Sequence, residues 1–183
     1  VRGMDVIEMV DVVTENNEIV TKKSRKDVHN TGEWHRGVHI FLFDGKGNLL
    51  VQIRGNKKTK FPRKYDCSVS EHLIAGESFL NGAKRGLKEE LGIEGVVLKK
   101  IVRFRMNYDE GDNMISELYI GKLNEERSHR TFSLGEEVQN IQFMDIRKLK
   151  ELMENRPDDF TPWLRELLKW FLSLPSEVEE MEE

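Results

Sequence analysis

Over most of the chain, apolar and polar positions alternate with a period of two, and they switch to helical spacing in a few short stretches. Residues 7–13 and 18–22 are rich in β-branched side chains and flank the turn residues Glu15, Asn16 and Asn17, which predicts a β-hairpin. Residues 37–43 and 48–54 flank Asp44, Gly45, Lys46 and Gly47, a second hairpin signal, and these two strands are expected at the centre of a sheet. A basic loop over 55–64, stiffened by Pro62, leads into a strand over 66–74. Ser78 then caps a helix whose apolar positions Leu80, Ala83, Leu87 and Leu91 recur at helical spacing, and Gly92 ends it. Residues 96–108 and 114–123 read as an antiparallel pair around the acidic turn 109–113, and 138–144 as a further strand. Residues 146–154 read as a helix. Thr161 and Pro162 open the last helix, with Trp163, Leu167, Trp170 and Phe171 on its buried side. The acidic end, 175–183, is expected to be a mobile tail, and 1–4 a start segment in which Met4 reads as a natural start.

At 183 residues, 38% hydrophobic and 34% charged, the chain has the composition of one globular domain, placed at 5–174. No stretch approaches the ~20 apolar residues of a membrane span, and no signal-peptide pattern opens the chain, so a soluble, cytoplasmic protein is expected. Cys67 is the single cysteine, which excludes an intrachain disulfide. A net charge of −4 argues against a nucleic-acid partner, although Arg54, Lys57, Lys58, Lys60, Arg63 and Lys64 crowd one short loop.

The chemistry concentrates in residues 71–93. On a helix, Arg85 and Glu89 lie one turn apart, and Glu89 with Glu90 puts two carboxylates at the end of the helix dipole that disfavours them. A hard divalent cation bridging to substrate phosphates would relieve that repulsion. An isolated acidic pair is more often just a solvated helix face. Here, however, Glu77, Arg85, Leu87, Glu89, Glu90, Gly92 and Ile93 fall together on a pattern spanning 23 residues.

That pattern resembles the Nudix box, G-x5-E-x7-R-E-U-x-E-E-x-G-U with U apolar. The resemblance implies an α+β protein with the Nudix α/β/α sandwich, a mixed sheet between helices, to which the N-terminal hairpin is an extension. It also implies a Nudix hydrolase that uses Mg2+ or Mn2+ to cleave a small-molecule diphosphate. Two positions depart from the box: its opening glycine is Glu71, and the metal-binding glutamate after the arginine is Gly86. Gly82 and Gly86 each weaken the helix by about 1 kcal/mol relative to alanine. Glu71, at a strand end beside the helix, and Glu117, in a strand from which Nudix proteins often supply a late carboxylate, are candidate replacements. Glu77 matches both motif and chemistry.

Outside the box, Trp34, His35 and Arg36, the 54–65 loop, and Thr161, Pro162 and Trp163 resemble the branch containing isopentenyl-diphosphate isomerase and its hydrolase relatives. His35, His72 and Glu117 match that isomerase's metal-binding positions, with His29 one residue out of register. Its catalytic cysteine is Ser70 here, and Cys67 falls on the opposite face of a regular strand from Ser70. His39, within an apolar strand, reads as a packed residue, and His129 carries no signal.

The resulting candidates are Glu90, Glu89, Arg85 and Glu117 for catalysis, with Arg85 orienting the glutamates. Glu90, Glu89, Glu77, Glu71, His72 and His35 are candidates for metal, and Arg54, Lys58 and Lys60 for substrate phosphates. Hydrolysis is the leading expectation; isomerisation of isopentenyl diphosphate and a ligand-binding Nudix domain with weakened turnover are the alternatives. A homodimer is compatible with each.

Overall fold

A computed structural model describes residues 7–58, 60–128 and 132–183; the start segment 1–4 and His129 lie outside it. The first hairpin forms from β1 (Met9–Val13) and β2 (Ile19–Ser24), followed by a short helix α1 (Arg25–Thr31). The main sheet is organised by β3 (His35–Phe43), which pairs in parallel with β8 (Asn113–Lys122) and antiparallel with β6 (Val69–His72). Next to it, β4 (Leu49–Arg54) pairs with β5 (Tyr65–Asp66) and with β9 (Val138–Met144), while β7 (Leu98–Asn107) pairs antiparallel with β8.

The central hairpin is shorter than expected. Asp44 closes its turn by accepting from Lys46 N and Asn48 N at 2.9 and 2.8 Å, but β3 and β4 pair only at Phe43↔Leu49. Beyond that point the strands splay, because each finds another partner. The chain crosses the gap at Cys67–Ser68, so the strand expected over 66–74 is broken into β5 on β4 and β6 on β3. Ser68 spans the splay: its hydroxyl accepts from Leu42 N at 2.9 Å and donates to Leu50 O at 2.5 Å.

Alternation along β3 and β4 then serves two cores. Phe41, Leu49, Val51 and Leu118 pack under α4 (Ile146–Asn155) and α5 (Pro162–Phe171), after the short α3 (Glu125–Ser128). Val38, Ile40, Leu42, Leu50 and Val69 pack under α2 (Phe79–Gly86). Ser78 caps α2 by accepting from Asn81 N at 3.2 Å; Ala83, Leu87 and Leu91 are buried as expected, but Leu80 is exposed and Phe79 takes the inward position. A π-helical turn, Leu87–Leu91, follows before Gly92 adopts φ 66°. In the acidic end, β10 (Glu179–Glu180) forms an edge strand on β7, with Val178 and Met181 packed on the cores and Glu179 meeting Arg105 at 3.3 Å. Among the described residues, no helix is long and apolar enough to cross a membrane.

Candidate functional site

The splay between β3 and β4 opens onto the last turn of the α2 segment, and Glu90 points into it. Gln52 of β4 donates from Nε2 to Glu90 Oε1 at 2.9 Å and to Ser68 O at 3.2 Å. Among the described residues, Glu90 Oε2 is buried and has no hydrogen-bond partner. A buried carboxylate oxygen left unpaired is costly. Burial and the nearby Glu71 push the Glu90 carboxyl well above the usual carboxylate range, and burial does the same, more mildly, to Glu71.

Arg85 organises the surrounding acids. Its Nε and Nη2 donate to the two oxygens of Glu77 at 2.8 and 3.0 Å, Nη2 also reaches His72 O at 2.8 Å, and Nη1 donates to Glu89 Oε2 at 3.1 Å. Glu71 Oε2 is 3.7 Å from the same Nη1. Glu77, which also accepts from Ile74 N at 3.1 Å, is therefore engaged on both oxygens, and its carboxyl is lowered by these bonds against the opposing effect of burial. Glu137, which sequence reasoning missed, adds its charge to the field at Glu71 and Glu90. The loop carrying it is held down by Gly135, whose N–H donates to Glu90 O at 3.0 Å and whose α-carbon has no room for a Cβ beside Glu89 O. Gln52 was missed as well: it alternates in an ordinary strand, and nothing in its neighbours distinguishes it. A partnerless, buried oxygen among ionisable acids fits a hard divalent cation, which Glu90 could hold together with Glu71.

Other expected residues sit elsewhere. Glu117 is buried against Arg103 at 3.3 Å and the Tyr119 hydroxyl at 3.4 Å, and none of its hydrogen bonds or ion pairs reaches the box acids. His72 pairs with Glu8 at 2.7 Å and with Glu71 at 3.3 Å. The set His35, His72 and Glu117 is thus not assembled. Instead His35 joins His29 and Asp112, whose ligand atoms lie within 4.8 Å of one another, and four buried atoms there lack hydrogen-bond partners. Asp112 could be found only in three dimensions, since it lies in the β7–β8 turn.

The basic loop divides. Arg54 spends its donors on Phe61 O, Lys60 O and Asp66, at 3.0 to 3.1 Å, and lies over Trp163. Lys60 pairs with Asp109 at 2.9 Å. Of the three expected phosphate contacts, Lys58 alone borders the box, through Glu137 at 2.6 Å.

Ser70 and Cys67 do not lie on opposite faces, because the break at Cys67–Ser68 cancels the alternation; the Ser70 hydroxyl lies beside the buried Cys67 thiol, which burial pushes well above its ordinary pKa. Ser70 itself is bonded to His39 at 2.8 Å and Asp66 at 3.1 Å.

The chain is 34% identical over 171 residues to the Escherichia coli protein named uncharacterized Nudix hydrolase YfcD, covering 92% of this chain and 89% of that one. It is 29% identical over 165 residues to isopentenyl-diphosphate Delta-isomerase 2 of Photorhabdus laumondii, covering 88% and 90%. The crystal structure of DR0079 from Deinococcus radiodurans shares the fold with a TM-score of 0.75 at 21% identity, covering 89% of this chain and 98% of that one. The family described as NUDIX domain matches residues 33–171, and the chain belongs to it.

Proposed function

We propose that this chain is a divalent-metal-dependent hydrolase that cleaves the diphosphate linkage of a nucleoside diphosphate derivative or another organic diphosphate, with Glu90 at the centre of the site. The observation that carries the reading is the buried, partnerless Oε2 of Glu90 facing Glu71. Bound Mg2+ or Mn2+ would stabilise negative charge developing on phosphoryl oxygens. Gln52 fixes one oxygen of Glu90 and leaves the other free to ligate. Arg85 ties Glu77 and Glu89 to the strand end at His72, so the acids keep their directions without a cation. Lys58 stands at the rim as the cation for a substrate phosphate.

The convergence of His29, His35 and Asp112, with four buried atoms that make no hydrogen bond among the described residues, favours one second reading, an isomerase-like enzyme with its metal there. Ser70 weighs against it: a hydroxyl is a far weaker acid than the thiol it replaces, and this one is committed to Asp66 and His39. One panel separates the readings. Purified protein is given Mg2+ with varied nucleoside diphosphate derivatives or with isopentenyl diphosphate, and phosphate-containing products and double-bond migration are followed. Hydrolysis that stops on chelation is expected, and Glu90→Gln should lower turnover by about 100-fold or more without loss of melting temperature. Full activity in Glu90→Gln, or turnover that survives complete chelation, sinks the proposal; formation of dimethylallyl diphosphate puts the isomerase first.

A further inference from the structure

The chain carries glutamate where the box pattern has glycine, and glycine where the pattern has glutamate, and the two exchanged positions face each other. A Cβ placed on Gly86 would lie 2.8 Å from Val69 Cγ1, 3.4 Å from Glu71 Cβ and 3.6 Å from Glu90 Oε2. Strand β6 and helix α2 are therefore so close that the space at Gly86 is taken by β6's side chains. The helix has no room for its own carboxylate there.

We propose that Glu71 supplies, from strand β6, the metal-binding carboxylate that the box helix lacks at Gly86. The inference rests on the hydrolase reading above and assigns the missing ligand within it. Two observations point the same way. Among the described residues Glu90 Oε2 is buried without a hydrogen-bond partner, and it borders the same point at Gly86 that Glu71 Cβ borders, so the stem of Glu71 and the carboxylate of Glu90 meet at one spot. The groups around Glu71 do not account for its burial. Arg85 is already bonded to both oxygens of Glu77 and to Glu89, and Glu71 is the most distant of its acidic neighbours at 3.7 Å. His72 makes its shorter contact with Glu8, at 2.7 Å against 3.3 Å for Glu71. A carboxylate mostly removed from water with only these loose partners, beside a second one in the same condition, lacks a cation.

The exchange has a steric logic. A ligand on the helix needs glycine on the strand to let it in, and a ligand on the strand needs glycine on the helix. The two departures of this chain from the box are then one change.

The test is the Mn2+ affinity of the full chain without substrate, measured by titration calorimetry, beside the melting temperature of the metal-free protein. Glu71→Gln should weaken Mn2+ binding by about 10-fold or more, with Glu71→Asp intermediate. The metal-free Glu71→Gln protein should melt at the wild-type temperature or above, since an uncompensated buried charge is gone. Unchanged affinity in Glu71→Gln, with affinity lost in Glu90→Gln, overturns the assignment and leaves the hydrolase reading standing. Unchanged affinity in both variants removes the box site and the assignment with it. A metal-free Glu71→Gln protein that melts lower yet binds Mn2+ normally makes Glu71 a structural partner of Arg85 and overturns the proposal.

Discussion

The cluster around Asp66 and the cluster around Glu90 treat buried polar atoms in opposite ways. Beneath α5, Asp66 accepts from Trp163 Nε1 and Cys67 N at 2.7 Å, from Ser70 Oγ at 3.1 Å and from Arg54 Nη1 at 3.0 Å. Since Ser70 gives its only proton to Asp66, its oxygen must accept from His39 Nδ1 at 2.8 Å. His39 Nε2 then accepts from the Tyr108 hydroxyl at 2.7 Å, and that oxygen accepts from Ser116 at 2.7 Å. Every proton in the chain has one place to go. By contrast, Glu90 keeps an oxygen without a partner, and Glu71 and Glu89 lean on an arginine that already holds Glu77. Complete satisfaction specifies a fold, whereas incomplete satisfaction among ionisable groups marks the place where a ligand is needed.

Breaking the satisfied cluster around Asp66 should therefore damage stability more than a change in the Glu90 cluster. Asp66→Ala leaves four donors unmatched and strands the Arg54 charge, which is half-buried beside Trp163. Loss of one partner of such a pair costs about 3–5 kcal/mol, and urea unfolding should show a fall of that order. A loss below roughly 1 kcal/mol would mean the network is ornamental and the contrast between the two clusters false.

A smaller effect comes from pH. Burial lowers the pKa of His39 from 6.5 to about 4, with Asp66 pulling the other way. A depressed folded-state pKa means that the stability His39 contributes is present in full above pH 6.5 and is lost as pH falls from there toward 4. The shift corresponds to a loss on the order of 3 kcal/mol across that window. In a His39→Gln variant the slope between pH 7 and 4.5 should flatten relative to wild type, whatever its starting stability. Parallel curves for the two proteins would show that His39 is not the group titrating.

How far the sequence disclosed each cluster follows from the range of the interactions. Period and capping residues lie within a few positions of one another, so the hairpins, α2 with its Ser78 cap, and α5 with Thr161 were legible. The motif spacing exposed Arg85, Glu89 and Glu90 for the same reason. What depended on tertiary pairing was not legible: the splay that confines the central hairpin to Phe43↔Leu49, the break at Cys67–Ser68, and the docking of β10. Glu137 and Gln52 reach the site from separate strands and loops. Conversely, Glu117 and Arg54 looked available because composition shows a charge but not the partner that has taken it.

That last point gives the smallest and most discriminating comparison, between two cations of the same loop. Arg54 is held by two carbonyls and Asp66, so its replacement should act on folding. Among the described residues, Lys58 pairs with Glu137, which is largely exposed, and an ion pair of that kind contributes about 0–1 kcal/mol. Lys58→Ala should therefore leave the melting temperature within experimental scatter. If Lys58 exchanges Glu137 for a substrate phosphate, the contact exists before the transition state and its loss acts on KM rather than kcat. One charged hydrogen bond at an exposed rim is worth roughly 1 kcal/mol, so KM should rise about fivefold with kcat nearly constant. Lys58→Arg, which keeps the charge, should restore most of it. An unchanged KM in Lys58→Ala, measured on a substrate found in the hydrolysis panel, would leave the loop as scaffold throughout and move the search for the phosphate-binding cation away from residues 54–64.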